Sequence, residues 1–283
     1  MSSITDSLCA RLKIPGSWVR APPPLTCANA ARAGVAAAAP ITPSDTDAVD
    51  GEAQRQVVAA LPAPAAYGLV APPGATPIPV RALTDPEQLA GLVAAHAARY
   101  PRASIGVATT IWWYLASAVL AGPPAAGALA GVPLSADADD LVLHVGPAGM
   151  PAAAISRRTG PDDAGPALGA TFGLLVDGLC AVGGLRPRPL WAIATDSLAT
   201  RLLALGRAQG RLDRATTLAR DLVGSMGAPV PLPRFVDVAG ARFLVRSSCG
   251  LLFRAGGDLC TSCPRRPADQ RQELLERAAP GFR

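Results

Sequence analysis

Three of the six cysteines fall within fifteen residues of one another: Cys249, Cys260 and Cys263. Cys260 and Cys263 have the two-residue spacing that lets one tight loop aim both sulfurs at a single metal. The run from Cys249 to Cys260 reads as a strand, a turn at Gly256-Gly257 and a returning strand. Such a hairpin would carry Cys249 back beside the Cys260 loop. Thiolates select zinc or iron–sulfur clusters over hard cations. The same residues also read as a redox dithiol or as inert thiols. Zinc wants a fourth ligand, and neither histidine is near in sequence. His96 falls on an apolar helix face and His144 alternates within a strand, so both read as satisfied structural histidines rather than ligands.

The segment Arg246-Ser247-Ser248-Cys249-Gly-Leu-Leu-Phe-Arg254, its Gly-Gly turn, Cys260-Thr-Ser-Cys263 and the basic exit at Arg265-Arg266 resemble the C-terminal signature of the FhuF-like ferric siderophore reductases. That family carries a Cys-Cys pair, ten intervening residues and Cys-x-x-Cys, and all four cysteines bind a [2Fe–2S] cluster. The likeness is sharp over this tail and diffuse upstream. It implies a metal and cofactor site at Ser248, Cys249, Cys260 and Cys263, with Ser248 standing where the family has its first cysteine. A serine alkoxide is a harder donor than thiolate, and in that place should lower the reduction potential and weaken the cluster. Three outcomes stay open: Ser248 ligates, a distant thiol (Cys9, Cys27 or Cys180) substitutes, or the cluster is labile or lost. Cys180, in an apolar small-residue helix, reads first as a packed thiol.

The resemblance implies an oxidoreductase of iron acquisition that delivers one electron to a ferric siderophore and releases Fe(II). Arg246, Arg254, Arg265 and Arg266 would offset cluster charge or dock an acidic electron donor. Neither a Gly-x-Gly-x-x-Gly nor a Gly-x-x-x-x-Gly-Lys-Ser/Thr pattern occurs, so the electron is expected from a separate reductase or ferredoxin. Two other readings remain: a redox-inactive siderophore-binding or scaffold protein, and a zinc knuckle closing a helical domain.

The elements that must position these residues come from a chain of 283 residues, 50% apolar, 17% charged and 4% aromatic, which excludes a disordered chain. The core must be built from Ala, Leu and Val. Lys13 is the sole lysine among 26 basic residues, and a net charge of +5 without a basic stripe argues against nucleic acid as partner. The expected fold is α+β and helix-rich, with a few strands and a C-terminal cysteine hairpin. A domain over 1–240 with Pro/Ala-rich loops near 20–83 would precede an iron–sulfur segment over 241–283.

Helices are expected at Glu52–Leu61, from a Thr84/Glu87 capping box to about Tyr100, at Ala167–Val182, from Pro187 along Leu190, Ile193, Ser197, Leu198, Arg201, Leu202 and Leu205, and from an Asp213 cap to Met226. Strands are expected at Leu141–Val145, Phe235–Val238 and Arg242–Arg246. The uncharged run Ala103–Gly122, broken by Pro123-Pro124, reads as a buried central helix packed through Trp112, Trp113 and Tyr114 rather than a membrane span. An acid near the N-terminus and no long apolar stretch after it suggest a cytoplasmic protein, with peripheral membrane association left open.

Overall fold

The computed structural model describes residues 51–228 and 230–282. The proline- and alanine-rich runs near residues 21–39, Cys9 and Cys27 lie outside the described residues. The fold is α+β and helix-rich. Its helices are α1 (Glu52–Ala59), α2 (Pro86–Ala97), α3 (Ile105–Leu120), α4 (Gly122–Ala130), α5 (Gly165–Gly183), α6 (Pro187–Ala208), α7 (Leu212–Ser225) and α8 (Ala268–Ala278). Strands β1 (Thr76–Pro79), β2 (Leu141–Gly146) and β3 (Met150–Ser156) form one antiparallel sheet in that order; β4 (Arg234–Val238) and β5 (Ala241–Val245) form a separate hairpin.

The centre of the molecule is α3. Its Trp112 and Trp113 are fully buried, and each indole N–H reaches a backbone carbonyl, Gly149 at 2.9 Å and Leu190 at 2.8 Å. These bonds remove the penalty of burying a polar N–H and tie α3 to the β2–β3 turn on one side and to the start of α6 on the other. Trp113 also meets Phe172 of α5 edge-to-face, with ring centroids 5.4 Å apart. Tyr114, one position on, is 38% exposed and turns toward the C-terminal loop rather than the core. Both the α3–α4 run and α5 are long and apolar enough to cross a membrane; inside this fold 72% of the first and 44% of the second is buried.

Prolines and polar side chains set several boundaries differently from the local pattern. Pro123-Pro124 do not end helical structure but start α4, because proline's missing N–H and fixed φ suit a first helical turn. The N-cap of α2 is Asp85, whose carboxylate accepts from the Glu87 N–H at 2.9 Å, while Thr84 donates to the Arg81 carbonyl. Asp213 lies in the first turn of α7 without capping it, and its carboxylate binds Arg242 at 2.6 Å. Strands β1 and β3 lack a clear alternating signal. Pro77 and Pro79 are tolerated because β1 is an edge strand paired only with β2. Buried Gln54 joins α1 to this layer, donating to the carbonyls of Leu69 and Ala154 and accepting from the Ser156 N–H. Arg201, expected on an inward stripe, clips the preceding loop to α6 by donating to the carbonyls of Ala65 and Tyr67.

Two cores result. The large one takes in α1 to α7 and the first sheet, and Leu244 of β5 joins it. A small one gathers Val238, Ala241, Phe243, Leu275, Ala278 and Ala279, so residues on both sides of position 240 share it. Arg207 of α6 bridges to this tail, donating to the carbonyls of Phe282 at 3.0 Å and Arg242 at 2.7 Å.

His144 alternates within β2 opposite Ala153, and His96 is not the satisfied histidine that its place on an apolar helix face suggests. It is fully buried on α2, and neither ring nitrogen has a hydrogen-bond partner among the described residues. Burial, with some help from the Arg99 charge, pushes its pKa down to about 4 from 6.5. The folded state therefore binds fewer protons than the unfolded chain between those limits. The stability gained from a neutral His96 is complete above about pH 6.5 and is lost as pH falls toward 4. Denaturant melts are expected to lose about 3 kcal/mol between pH 7 and pH 4 on this account. A His96→Phe variant should show a flatter acid limb; an unchanged one would show that another group dominates.

Candidate functional site

The tail leaves β5 at Val245 and runs directly over the middle of α6. There Asp196, 3% exposed, accepts four hydrogen bonds from two consecutive serines. Its Oδ1 receives the Ser247 N–H at 3.1 Å and the Ser247 hydroxyl at 3.0 Å. Its Oδ2 receives the Ser248 N–H at 2.9 Å and the Ser248 hydroxyl at 2.5 Å. Arg246 adds an ion pair, Nε to Oδ2 at 3.6 Å. A buried carboxylate is tolerated only with such compensation, and these donors fix the backbone leading into Cys249.

Cys249 is then shaped by its own loop. Gly250 lies flat on Tyr114, where a Cβ would come within 3.2 Å of the ring, so only glycine brings the backbone this close without displacement. Leu251 adopts the left-handed region at φ 58°, and its N–H donates to the Cys249 sulfur. A non-glycine residue held there costs roughly 1–2 kcal/mol. The segment doubles back as the sequence suggests, but through a 3-10 turn over Leu252–Ala255 rather than two strands. Gly256 at φ 94° stops that turn, and the Gly257 N–H returns to the Leu252 carbonyl at 3.1 Å.

The Cys260–Cys263 loop is a tight turn, with the Cys263 N–H on the Cys260 carbonyl at 3.1 Å. Arg266 clamps it from outside, donating to the carbonyls of Cys260 and Leu259. The outcome is a contact between Cys249 and Cys263 with sulfurs 3.8 Å apart. That is far beyond a disulfide's roughly 2.05 Å. Two thiolates at about 2.3 Å from one tetrahedral metal stand about 3.8 Å apart, so this pair has the spacing of two ligands on a shared ion. Cys260 approaches the same pair electrostatically and takes an N–H from Arg246 Nη1 at 3.2 Å. Among the described residues, no three His, Cys, Asp or Glu side chains reach metal-holding spacing around a common point. The close contact is the Cys249–Cys263 pair, with Cys260 held on Arg246. The donors themselves, three thiols in one loop, fit a soft cysteine-ligated centre.

Burial pushes the Cys249 and Cys260 thiols up. The Leu251 N–H and Arg246 oppose this at Cys249, and Arg246 opposes it at Cys260. Burial alone would lower Arg246, but Tyr114, Cys260, Asp196 and Cys249 outweigh it and hold its pKa above the ordinary value. The Arg246 side chain is 9% exposed and lies over the Tyr114 ring at 5.2 Å, and its Nη2 has no hydrogen-bond partner among the described residues.

The four arginines singled out in the sequence thus separate by role. Arg246 is buried at the sulfurs, Arg266 braces backbone carbonyls, and Arg254 and Arg265 are exposed over Phe253. Cys180 packs against the main core from α5, and burial, then Asp177, raises its thiol. Asp196 and the second role of Tyr114 are not singled out by local sequence. The only signal for Asp196 is an acid three residues after Ile193 on an otherwise inward helix face. Comparison with known protein families, curated proteins and solved structures finds no match to this chain.

Two outcomes test this geometry. Asp196→Ala removes the acceptor of four donors and strands the buried Arg246 charge; thermal or denaturant melts should show a loss of about 3–5 kcal/mol. Arg246→Gln should reduce the Cys260 thiolate fraction at pH 8 by about tenfold, the scale of an adjacent charge on a partly buried group. The pH dependence of Cys260 alkylation in metal-free protein reads this directly, and an unchanged profile would place the arginine off the sulfur.

Proposed function

We propose that this chain is a ferric-chelate reductase, a one-electron carrier that reduces Fe(III) in a siderophore-type complex and so releases Fe(II). The observation that carries the reading is the approach of Cys249 to Cys263 with Arg246 on Cys260, inside the run that resembles the FhuF-like signature. Cys249, Cys260 and Cys263 would hold a [2Fe–2S] group, which when bound supplies a one-electron couple.

The chain's own residues do the rest. Buried thiols are protonated when free, so loading the site releases protons, and Arg246 and the Leu251 N–H favour the thiolate forms. Ser248 stands in the place of the family's first cysteine, but its hydroxyl is a donor to Asp196. Ligation by Ser248 would set an alkoxide against a carboxylate 2.5 Å away, so this reading leaves the fourth position to another ligand. A ferric complex held by hard oxygens loses its iron on reduction because those oxygens grip Fe(II) far less well. The electron donor would be a separate reductase or ferredoxin, and the setting the cytoplasm.

The 3.8 Å spacing also favours a second reading, a zinc knuckle that closes the tail on α3 and α6. Anaerobic iron and sulfide analysis with electron paramagnetic resonance on the reduced protein separates the two. Red-brown protein with equal iron and sulfide and a reduced-state signal is expected. Colourless protein with stoichiometric zinc would replace the reductase by the knuckle, and metal-free protein would leave a scaffold or binding role. Cys260→Ser should abolish cluster incorporation, and Ser248→Ala should leave the spectrum unchanged.

A further inference from the structure

Outside the sulfurs the tail presents a second arrangement. The exposed guanidinium groups of Arg254 and Arg265 both lie against Phe253, 6.0 and 5.5 Å from its ring centroid. Stacking on the ring fixes both side chains while leaving their N–H groups free. Among the described residues neither side chain has an ion pair or a hydrogen bond, and Asp258, the acid of the same loop, pairs with neither. Some other exposed arginines are matched by acids, as Arg81 is by Asp139; what sets Arg254 and Arg265 apart is that the two share one ring. Arg265 follows Cys263 by two residues, which places its Cα within about 7.6 Å of the cysteine's. Arg246, buried in the same tail, carries an N–H with no acceptor among the described residues. Arg246, paired to Asp196, is the positive charge in contact with a sulfur, and Arg254 and Arg265 add two exposed ones on the same tail.

We propose that this platform selects the substrate by charge, and that the substrate class is a ferric chelate of net negative charge, such as a tris-catecholate or a carboxylate complex, rather than a neutral tris-hydroxamate. The proposal rests on the reductase reading for its chemistry but not for its binding. Two guanidinium groups sharing one ring fit within the span of one small ligand, whereas a stable protein interface buries about 1,200 Å² or more and needs a far wider complementary surface. Free N–H groups held on an aromatic face bind anionic oxygens and gain little from an uncharged complex.

Gallium(III) chelates test this, since gallium keeps the charge and shape of the ferric complex without accepting an electron. The full chain is titrated with gallium tris-catecholate, net charge −3, and with neutral gallium tris-hydroxamate. The trianion is expected to bind at least tenfold more tightly, to weaken as salt rises, and to fall to the level of the neutral complex in an Arg254→Gln/Arg265→Gln double variant. Arg234→Gln, at the exposed start of β4, should leave binding unchanged. Equal binding of the two chelates, no binding of either, or full trianion affinity in the double variant overturns the proposal. So does an acidic ferredoxin whose binding, and not that of the chelates, is lost in the double variant. Protein that purifies without iron and sulfide would remove the reductase reading and leave this charge selectivity to be decided by the same titration.

Discussion

The buried carboxylate of Asp196 governs the tail. Four serine donors and one guanidinium converge on it from three consecutive residues, so a flexible run of chain is held to a rigid helix by a charge that cannot be left unpaired. Each partner answers a cost created by the others: the carboxylate needs donors, Arg246 needs acids and sulfurs, and the loop's backbone N–H groups need acceptors. Cys249 inherits its position from this network, being the next residue along. The cysteine site is thus an extension of α6 and α3 rather than an independent module.

The framework beneath it is made of small and branched aliphatic side chains around two tryptophans. Alanine-rich helices pack closely, and the rigidity this gives is what lets Tyr114 serve as a floor for Gly250 and Arg246. Aromatic residues are few, so each has a large share of the work. Trp112 and Trp113 fix the sheet and α6 about α3, while Phe253 and Tyr114 order arginines at the site. One side of α3 builds the core, and its partly exposed Tyr114 serves the tail.

Charge is graded along the tail. Arg246 is desolvated and compensated, Arg266 is used up on backbone carbonyls, and Arg254 and Arg265 remain open to solvent. Four arginines of one segment therefore differ in charge environment because they differ in what surrounds them. Near sulfur, a desolvated guanidinium stabilises thiolate far more than a solvated one. At the surface, the pair keeps its charge in water, held against the Phe253 ring.

Much of the helical architecture was legible in the sequence, because helix periodicity and proline or glycine at the ends are local properties of the chain. The Trp-bearing run, the α5 and α6 segments and the β4–β5 hairpin all carry such signals. Caps were harder to read: Asp85 rather than Thr84 takes the N-cap of α2, since neighbouring polar residues compete for one position. The edge strand β1 was hidden by its prolines, and β3 by its alanines, because strand pairing depends on a partner elsewhere in the chain. By itself the sequence determined where the clustered thiols lie and that the chain doubles back between Cys249 and Cys263, since side-chain type and spacing are written in the primary structure. Only the tertiary structure decided that Ser248 faces Asp196, that Leu251 and Gly250 turn the loop on Tyr114, and which arginine is buried, because those depend on desolvation and contacts between segments about fifty or more residues apart, as between Asp196 and Ser248.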